Sequence, residues 1–241
     1  MLGFKSPGKI IYRGRTVDFI EGGYSCKIPL KNIRIDADGD PDAYGPTRFV
    51  GDRDGCGTDS LINAGYPSNE FDPIPDDWHD ILVPSSADPK RPFRKKDGFY
   101  MSKTSLYDTS IESDRTSGKF VDANLVPYLV MPQFWIDHLG IQLGDLCLLW
   151  HARLRLKVVA IVADVCPIDE PLGEMSIAAA VCLGGRNVSP RTGVDLPANG
   201  SIHCYIFKNT RPNFIWPLTN DFLQSFRDNL EALLGSADTV T

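Results

Sequence analysis

Two carboxylates ten residues apart carry the clearest chemical signal in the chain. Asp164 closes the apolar run Val158 to Ala163. Glu174 follows Gly173 and opens a second apolar run, Ile177 to Leu183. Two acids fixed at the rim of a rigid core are the minimum equipment for general acid/base hydrolysis, provided one is protonated and the other ionised at working pH. Apolar surroundings raise a carboxyl pKa and hydrated ones keep it low. On that ground Glu174, beside Met175 and an apolar helix, suits the acid, and Asp164, facing a loop, suits the base. A structural role competes: Asp164 would hold the turn at Cys166-Pro167, and Glu174 would cap or charge the N-terminus of the helix at Ile177. Asp169 and Glu170 share the loop and blur the assignment.

Other clusters are candidates for binding. Asp36-Ala37-Asp38-Gly39-Asp40-Pro41-Asp42 alternates carboxylates, which invites a calcium reading. The EF-hand pattern fails, with Pro41 where glycine is needed and Thr47 where glutamate is needed. A solvated turn is the simpler account, with strand-terminal Asp36 and Asp38 placed to face a substrate cleft. Tyr100 and the run Ser102-Lys103-Thr104-Ser105 offer hydroxyls and a lysine for sugar hydroxyls or for orienting a carboxylate, and Asp122 is a supporting acid. There is no G-x-S-x-G elbow, no phosphate loop and no H-E-x-x-H pattern. The four histidines are scattered. The six cysteines contain no C-x-x-C pair, so neither a metal nor any other cofactor is expected. Buried free thiols are the simplest reading of the cysteines. The tryptophans offer stacking faces for sugars, though such residues more often fill cores.

Positioning these residues requires strands. Lys9–Tyr12, Arg15–Phe19 and Asn32–Asp36 read as short strands, followed by a long loop-rich stretch to Asp97 whose apolar residues imply packing. Further strands are expected at Gly98–Ser102, Lys119–Ala123, Tyr128–Met131, Leu146–Trp150, Arg153–Ala163 and Ile202–Phe207. A turn is expected at Leu143-Gly144-Asp145. Ile177–Leu183 reads as a short helix, and Asn220–Leu234 as one amphipathic helix capped by Thr219 or Asn220 and stopped at Gly235. Many short strands with a terminal helix suggest a mainly β protein built on a small closed barrel. The division expected is a loop-rich region 1–97 packed on a barrel with its C-terminal helix, 98–241.

Bulk properties narrow the class. Among 241 residues, 21 Gly and 18 Pro favour a turn-rich β protein, and 42% apolar content allows a substantial core. A net charge of −6 disfavours a nucleic-acid partner. No membrane span and no signal peptide are expected, because no apolar run is long enough and the N-terminus lacks an apolar segment.

Several segments together resemble the glycoside hydrolase family 75 chitosanases. They are Phe99-Tyr100-Met101-Ser102-Lys103-Thr104-Ser105-Leu106, Gly118 to Ala123 with Val126 to Pro132, Leu143-Gly144-Asp145, Ile161 to Asp164, and Leu172 to Ser176. The resemblance spans roughly residues 98 to 218. Upstream, Ile35 to Gly39 with Tyr44-Gly45-Pro46 resembles bacterial relatives. It implies an endo-acting, inverting hydrolase of β-1,4-linked amino-sugar chains, with Asp164 and Glu174 as the essential pair. It also implies a double-psi β-barrel, with Gly144-Asp145 as a recurring barrel turn. Departures at Val165-Cys166-Pro167 and in the acidic loop before Glu174 open substrate choice to peptidoglycan glycan strands. The lack of a leader then suggests export without a cleaved leader, as an antibacterial effector with a cognate immunity protein, or else a cytoplasmic protein. A non-catalytic glycan-binding barrel is the remaining alternative.

Overall fold

The computed structural model describes residues 4–12, 15–22, 25–30, 33–45, 57–66, 78–167, 170, 172–188, 196 and 202–238. The long apolar strand organises everything else. β6 (Leu146–His151) and β7 (Leu156–Cys166) pair antiparallel, with Leu148 opposite Val159 and Leu146 opposite Ile161. Their residues alternate between two cores. Cys147, Leu149, Val158, Ala160 and Val162 pack in one, and Leu146, Leu148, Val159, Ile161 and Ala163 in the other. A strand apolar at both parities must be covered on both faces. Helices supply that cover, and the short α1 (Trp78–Ile81) adds Trp78 to the first core. α2 (Gln133–Leu139) and α3 (Ile177–Cys182) bury Trp135, Leu139, Ala179 and Ala180 on the first face, while α4 (Asn220–Gln224) and α5 (Arg227–Asp238) bury Leu223 and Leu230 on the second. Each fully buried Leu, Ile or Val stabilises by about 1.5–3 kcal/mol.

β1 (Phe4–Tyr12), β2 (Arg15–Gly22), β3 (Ser25–Leu30), β4 (Arg34–Asp36), β5 (Tyr128–Pro132), β8 (Glu174–Ser176) and β9 (Ile202–Phe207) complete one sheet, in the order β1-β2-β3-β9-β6-β7-β5-β8-β4. The six strands from β9 to β4 carry the two cores and the cleft. Two neighbouring pairs, β4/β8 and β5/β7, are parallel. The expectation of a mainly β, closed double-psi barrel is therefore wrong. The fold is mixed α/β with an open sheet, and its terminal strands β1 and β4 do not pair with each other. Two of the strands expected for a barrel do not form. Around Gly98–Ser102 and Lys119–Ala123 there are only isolated bridges, such as Tyr44 to Tyr100 and Tyr107 to Phe120. Gly98 and Gly118, both at positive φ, turn the chain beside them. Side-chain alternation suggests strands, but it does not say which edges will meet.

Smaller differences have local causes. The terminal helix is two helices: Thr219 caps α4 through Phe222 N–H, the chain breaks at Ser225, and α5 runs past Gly235 to Asp238. Gln224 uses its amide as a strand would, donating to Val159 O at 2.9 Å and accepting from Val159 N–H at 3.1 Å. The expected turn at Leu143-Gly144-Asp145 is present. Gly144 has φ 89° and donates to Val162 O, and an added Cβ would lie 2.9 Å from Arg211. Buried Asp145 accepts from the backbone N–H of Gln142 and Thr210. The region before residue 98 is woven into the sheet: β4 pairs with β8, and β3 with β9. No helix among the described residues is long and apolar enough to cross a membrane.

Candidate active site

β7 does not end at Asp164. The strand runs on to Cys166, and its parallel ladder with β5 skips one residue: Leu129 pairs with Val162, but Val130 pairs with Asp164. Extra residues of this kind bend a strand and re-aim a side chain, and they are frequent beside active sites. The skip brings Asp164 level with Val130. On the other side of β5, Leu129 pairs antiparallel with Met175, which sets Val130 beside Glu174. Asp164, Val130 and Glu174 thus form one row across three strands. The outer two are on the order of 10 Å apart at Cα, two strand spacings. Glu174 does not cap the following helix. Ser176 does, accepting from Ala179 N–H at 3.1 Å while accepting from Tyr128 N–H and donating to Val126 O. One hydroxyl with all its capacity used fastens β5, β8 and α3 together.

The row lies in a cleft of about 990 Å³, also lined by Arg34, Asp36, Asp38, Asp80, Ser105 and Glu170. Six carboxyls and one guanidinium line it among the described residues. All donors to Asp164 converge on Oδ1: Ser105 Oγ at 2.5 Å, Val165 N–H at 2.8 Å and Ser105 N–H at 3.1 Å. Burial pushes its carboxyl up to about 6, against the pull of those hydrogen bonds and of Lys103. Burial pushes Glu174 up to about 7, against the pull of Arg34 and with the repulsion of Asp164 and Glu170. The Arg34 Nη2 group bridges Glu174 at 2.9 Å and Glu170 at 3.0 Å. The parallel register that sets Arg34 beside Glu174 makes this contact.

Asp36 and Asp38 are buried at the same place. Each carboxyl is raised well above the usual range, first by burial and then by neighbouring acids. Asp36 Oδ1 accepts from Asp38 N–H at 2.8 Å, and Asp38 Oδ1 accepts from the Tyr44 hydroxyl at 2.8 Å. Carboxylate oxygens of Asp36, Asp38 and Asp164 lie within 4.8 Å of one another. Hard cations prefer such oxygens when they are ionised, and burial opposes that ionisation here. Cys166 lines the cleft too, but burial pushes its thiol up to about 12, so it is no thiolate nucleophile near neutral pH. No histidine lines the cleft among the described residues.

Of the residues expected from sequence, Asp36, Asp38, Ser105, Asp164 and Glu174 meet in this cleft. The others lie outside its lining. Lys103 donates from Nζ to His79 O. Thr104 is buried, donating to Leu106 O and accepting from Val121 N–H. Tyr100 donates its N–H to Tyr44 O, and Asp122 accepts from Asn124 N–H. Trp78 and Trp135 are core residues, and no aromatic side chain lines the cleft among the described residues. Cys147, Cys166, Cys182 and Cys204 are free thiols. Thr47, Asp169 and the apolar residues Phe71 and Ile74 lie outside the described residues.

Sequence reasoning missed Arg34, Tyr44 and Tyr128. The signal for Arg34 was available, because a strand places residues two apart on one face and Arg34 precedes Asp36 by two. Tyr128 and Tyr44 gave no such signal, since their partners are 92 and 6 residues away through a loop. No protein-family model matches this chain, and no curated protein matches it.

Proposed function

We propose that the cleft is the active site of an inverting glycoside hydrolase acting on β-1,4-linked amino-sugar chains. The observation that carries this reading is the row Asp164–Val130–Glu174, with two carboxyls on separate strands facing one cleft and Glu174 held the more firmly protonated. Glu174 protonates the glycosidic oxygen as the bond to the leaving sugar breaks. Asp164 takes a proton from the water that attacks the anomeric carbon from the opposite face. The inverting mechanism needs its carboxyls about 6.5–9.5 Å apart to admit that water. A Cα spacing of two strands suits this gap better than the closer approach of a retaining pair. Arg34, at 2.9 Å from Glu174, stabilises the carboxylate left after proton transfer. Asp164 and Glu174 then exchange protons with solvent to restore the starting state.

The lining favours a cationic chain. Lining carboxylates such as Asp80 and Asp164 attract glucosamine ammonium groups, and the one guanidinium among the described lining residues is already engaged by Glu170 and Glu174. Peptidoglycan glycan strands, whose amino groups are N-acetylated, would bring no ammonium group to those carboxylates. The test is reducing-end release from chitosan beside turbidity loss of wall sacculi, with the product anomer followed by NMR. Release of the α-anomer from chitosan, abolished in Asp164→Asn and in Glu174→Gln, is the expected outcome. An active double variant would end the assignment. Clearing of sacculi without attack on chitosan would move the substrate to peptidoglycan. Binding without release from either polymer would make the cleft a glycan-binding site.

A further inference from the structure

Tyr128 sits on β5 with its hydroxyl fully buried, and its oxygen has two oxygen neighbours. Asp36 Oδ2 lies at 3.0 Å and the Asp38 carbonyl oxygen at 2.9 Å. Both are hydrogen-bond distances, yet a tyrosine has one hydroxyl hydrogen. If that hydrogen goes to Asp36, the Asp38 carbonyl and the phenol oxygen face each other with lone pairs only. If it goes to Asp38, the same holds for Asp36 unless Asp36 supplies a hydrogen of its own. A carbonyl oxygen cannot carry the missing proton, but Asp36 can. Sharing one hydrogen between both acceptors would weaken both contacts at a fully buried hydroxyl.

We infer that Asp36 is a protonated carboxylic acid in the working protein, the first donor of a chain running Asp36 Oδ2–H to Tyr128 Oη–H to Asp38 C=O, and that this positioning residue leaves Asp164 free to ionise. The rest of the Asp36 carboxyl fits. Oδ1 accepts from Asp38 N–H, as the carbonyl oxygen of a neutral acid does. The surroundings fit too. The charged groups bearing on Asp36 are Asp164 from β7, Glu174 from β8 and Asp38 from its own loop, all acids. Beyond them, Asp59 and Tyr44 face Asp38, and Lys103 and Ser105 face Asp164. The lysine and the three donors on Oδ1 thus favour charge on Asp164, while Arg34, two residues from Asp36 on β4, is engaged by Glu170 and Glu174. Three like charges within 4.8 Å of one another at a buried place repel too strongly to coexist. The proton on Asp36 relieves that repulsion, keeps the base available and locks the loop that carries Asp38.

The consequence for the reaction rests on the hydrolase reading, but the proton itself does not. Asparagine reproduces a neutral aspartic acid: its amide donates to Tyr128 Oη and its oxygen accepts from Asp38 N–H. In the full chain, Asp36→Asn should leave the acid limb of the pH profile of kcat/KM on chitosan oligomers unmoved. An ionised Asp36 would instead shift the acid limb down by about one pH unit as a repelling charge is lost. That result overturns the inference. The infrared spectrum near neutral pH is the second readout and needs no activity. The wild-type minus Asp36→Asn difference spectrum should show a protonated-carboxyl stretch besides the one Glu174 contributes, and its absence from that difference overturns the proposal. If Asp36→Asn does not fold, Tyr128→Phe deletes the acceptor, and the same band should move to higher frequency; a band that stays in place is equally fatal. A wild type that shows the band but never turns over polysaccharide sinks the hydrolase reading and leaves the Asp36 proton standing.

Discussion

Asp36 and Asp38 stand four residues ahead of Asp40 and Asp42 in one turn, yet the two pairs meet opposite environments. The first pair is buried in the cleft among other acids, where the nearby cation Arg34 is engaged by Glu170 and Glu174. The second is met by donors: Asp40 accepts from Asp42 N–H, Thr58 Oγ1 and Asn124 Nδ2, and exposed Asp42 pairs with Lys95 at 3.4 Å. Gly39 divides them. Its φ of 77° turns the chain, and a Cβ there would fall 1.9 Å from Val121 O. Identical side chains two residues apart thus acquire different chemistry from the direction of one peptide. Burial raises the Asp40 carboxyl too, but the crowded acids Asp36 and Asp38 are raised well above the usual range, and such groups concentrate at functional sites.

The sharpest way to break this contrast is to remove the acids of the cleft. Glu174→Gln and Asp164→Asn should each lower turnover by about 10²–10⁴-fold while the circular dichroism spectrum is unchanged. Loss of fold instead of turnover would make the acids structural. Gly39→Ala attacks the divider. The strained φ alone should cost about 1–3 kcal/mol, with the Val121 clash added, and would be read as a large fall in Tm; an unchanged Tm would show that the turn can be made another way. The pH dependence of stability sharpens the contrast next. Glu174 is raised from 4.5 to about 7 in the folded protein. Its contribution is complete below about 4.5 and is lost as pH rises through about 7, because the folded state binds this proton more tightly. The Tm should therefore fall across that window, and Glu174→Gln should flatten the slope. Asn124→Ala, which strips a donor from Asp40, should cost about 1 kcal/mol without touching turnover. Asp42→Asn should change stability by no more than about 0.5 kcal/mol, since its ion pair is largely exposed.

Much of the framework was legible from residue pattern. The apolar runs at Tyr128, Leu146 and Val158 are strands, Gly144-Asp145 is a turn, and Ile177 lies in a short helix. What failed was closure. A continuous apolar run states that both faces are covered, but whether by sheet or by helix depends on partners distant in the chain. Here α2 and α3 cover one face and α4 and α5 the other. The split of the terminal helix at Ser225 was equally invisible, because Phe222, Leu223, Phe226 and Leu230 keep a helical period through the break. At the site, Asp164 and Glu174 drew notice by type and spacing. Tyr128 did not, because its role depends on a hydroxyl meeting a loop from the other end of the chain. Arg34 was hidden by attention to acids, although the strand period places it beside Asp36.

The skipped residue in the β5–β7 ladder has a consequence for how this site tolerates change. Were Ala163 deleted, the ladder would close without its skip, and Asp164 would follow Val162 directly, turned toward the face that Ala163 now occupies. Were a residue inserted after Val162, the carboxyl would move on toward the row of Met131, which is fully buried against α2 and α3. Substitutions along β7 adjust packing by degrees, but length changes at this one point act as a vernier, resetting the base by a whole strand step. The segment Val162–Asp164 should accordingly admit many sequences and only one length.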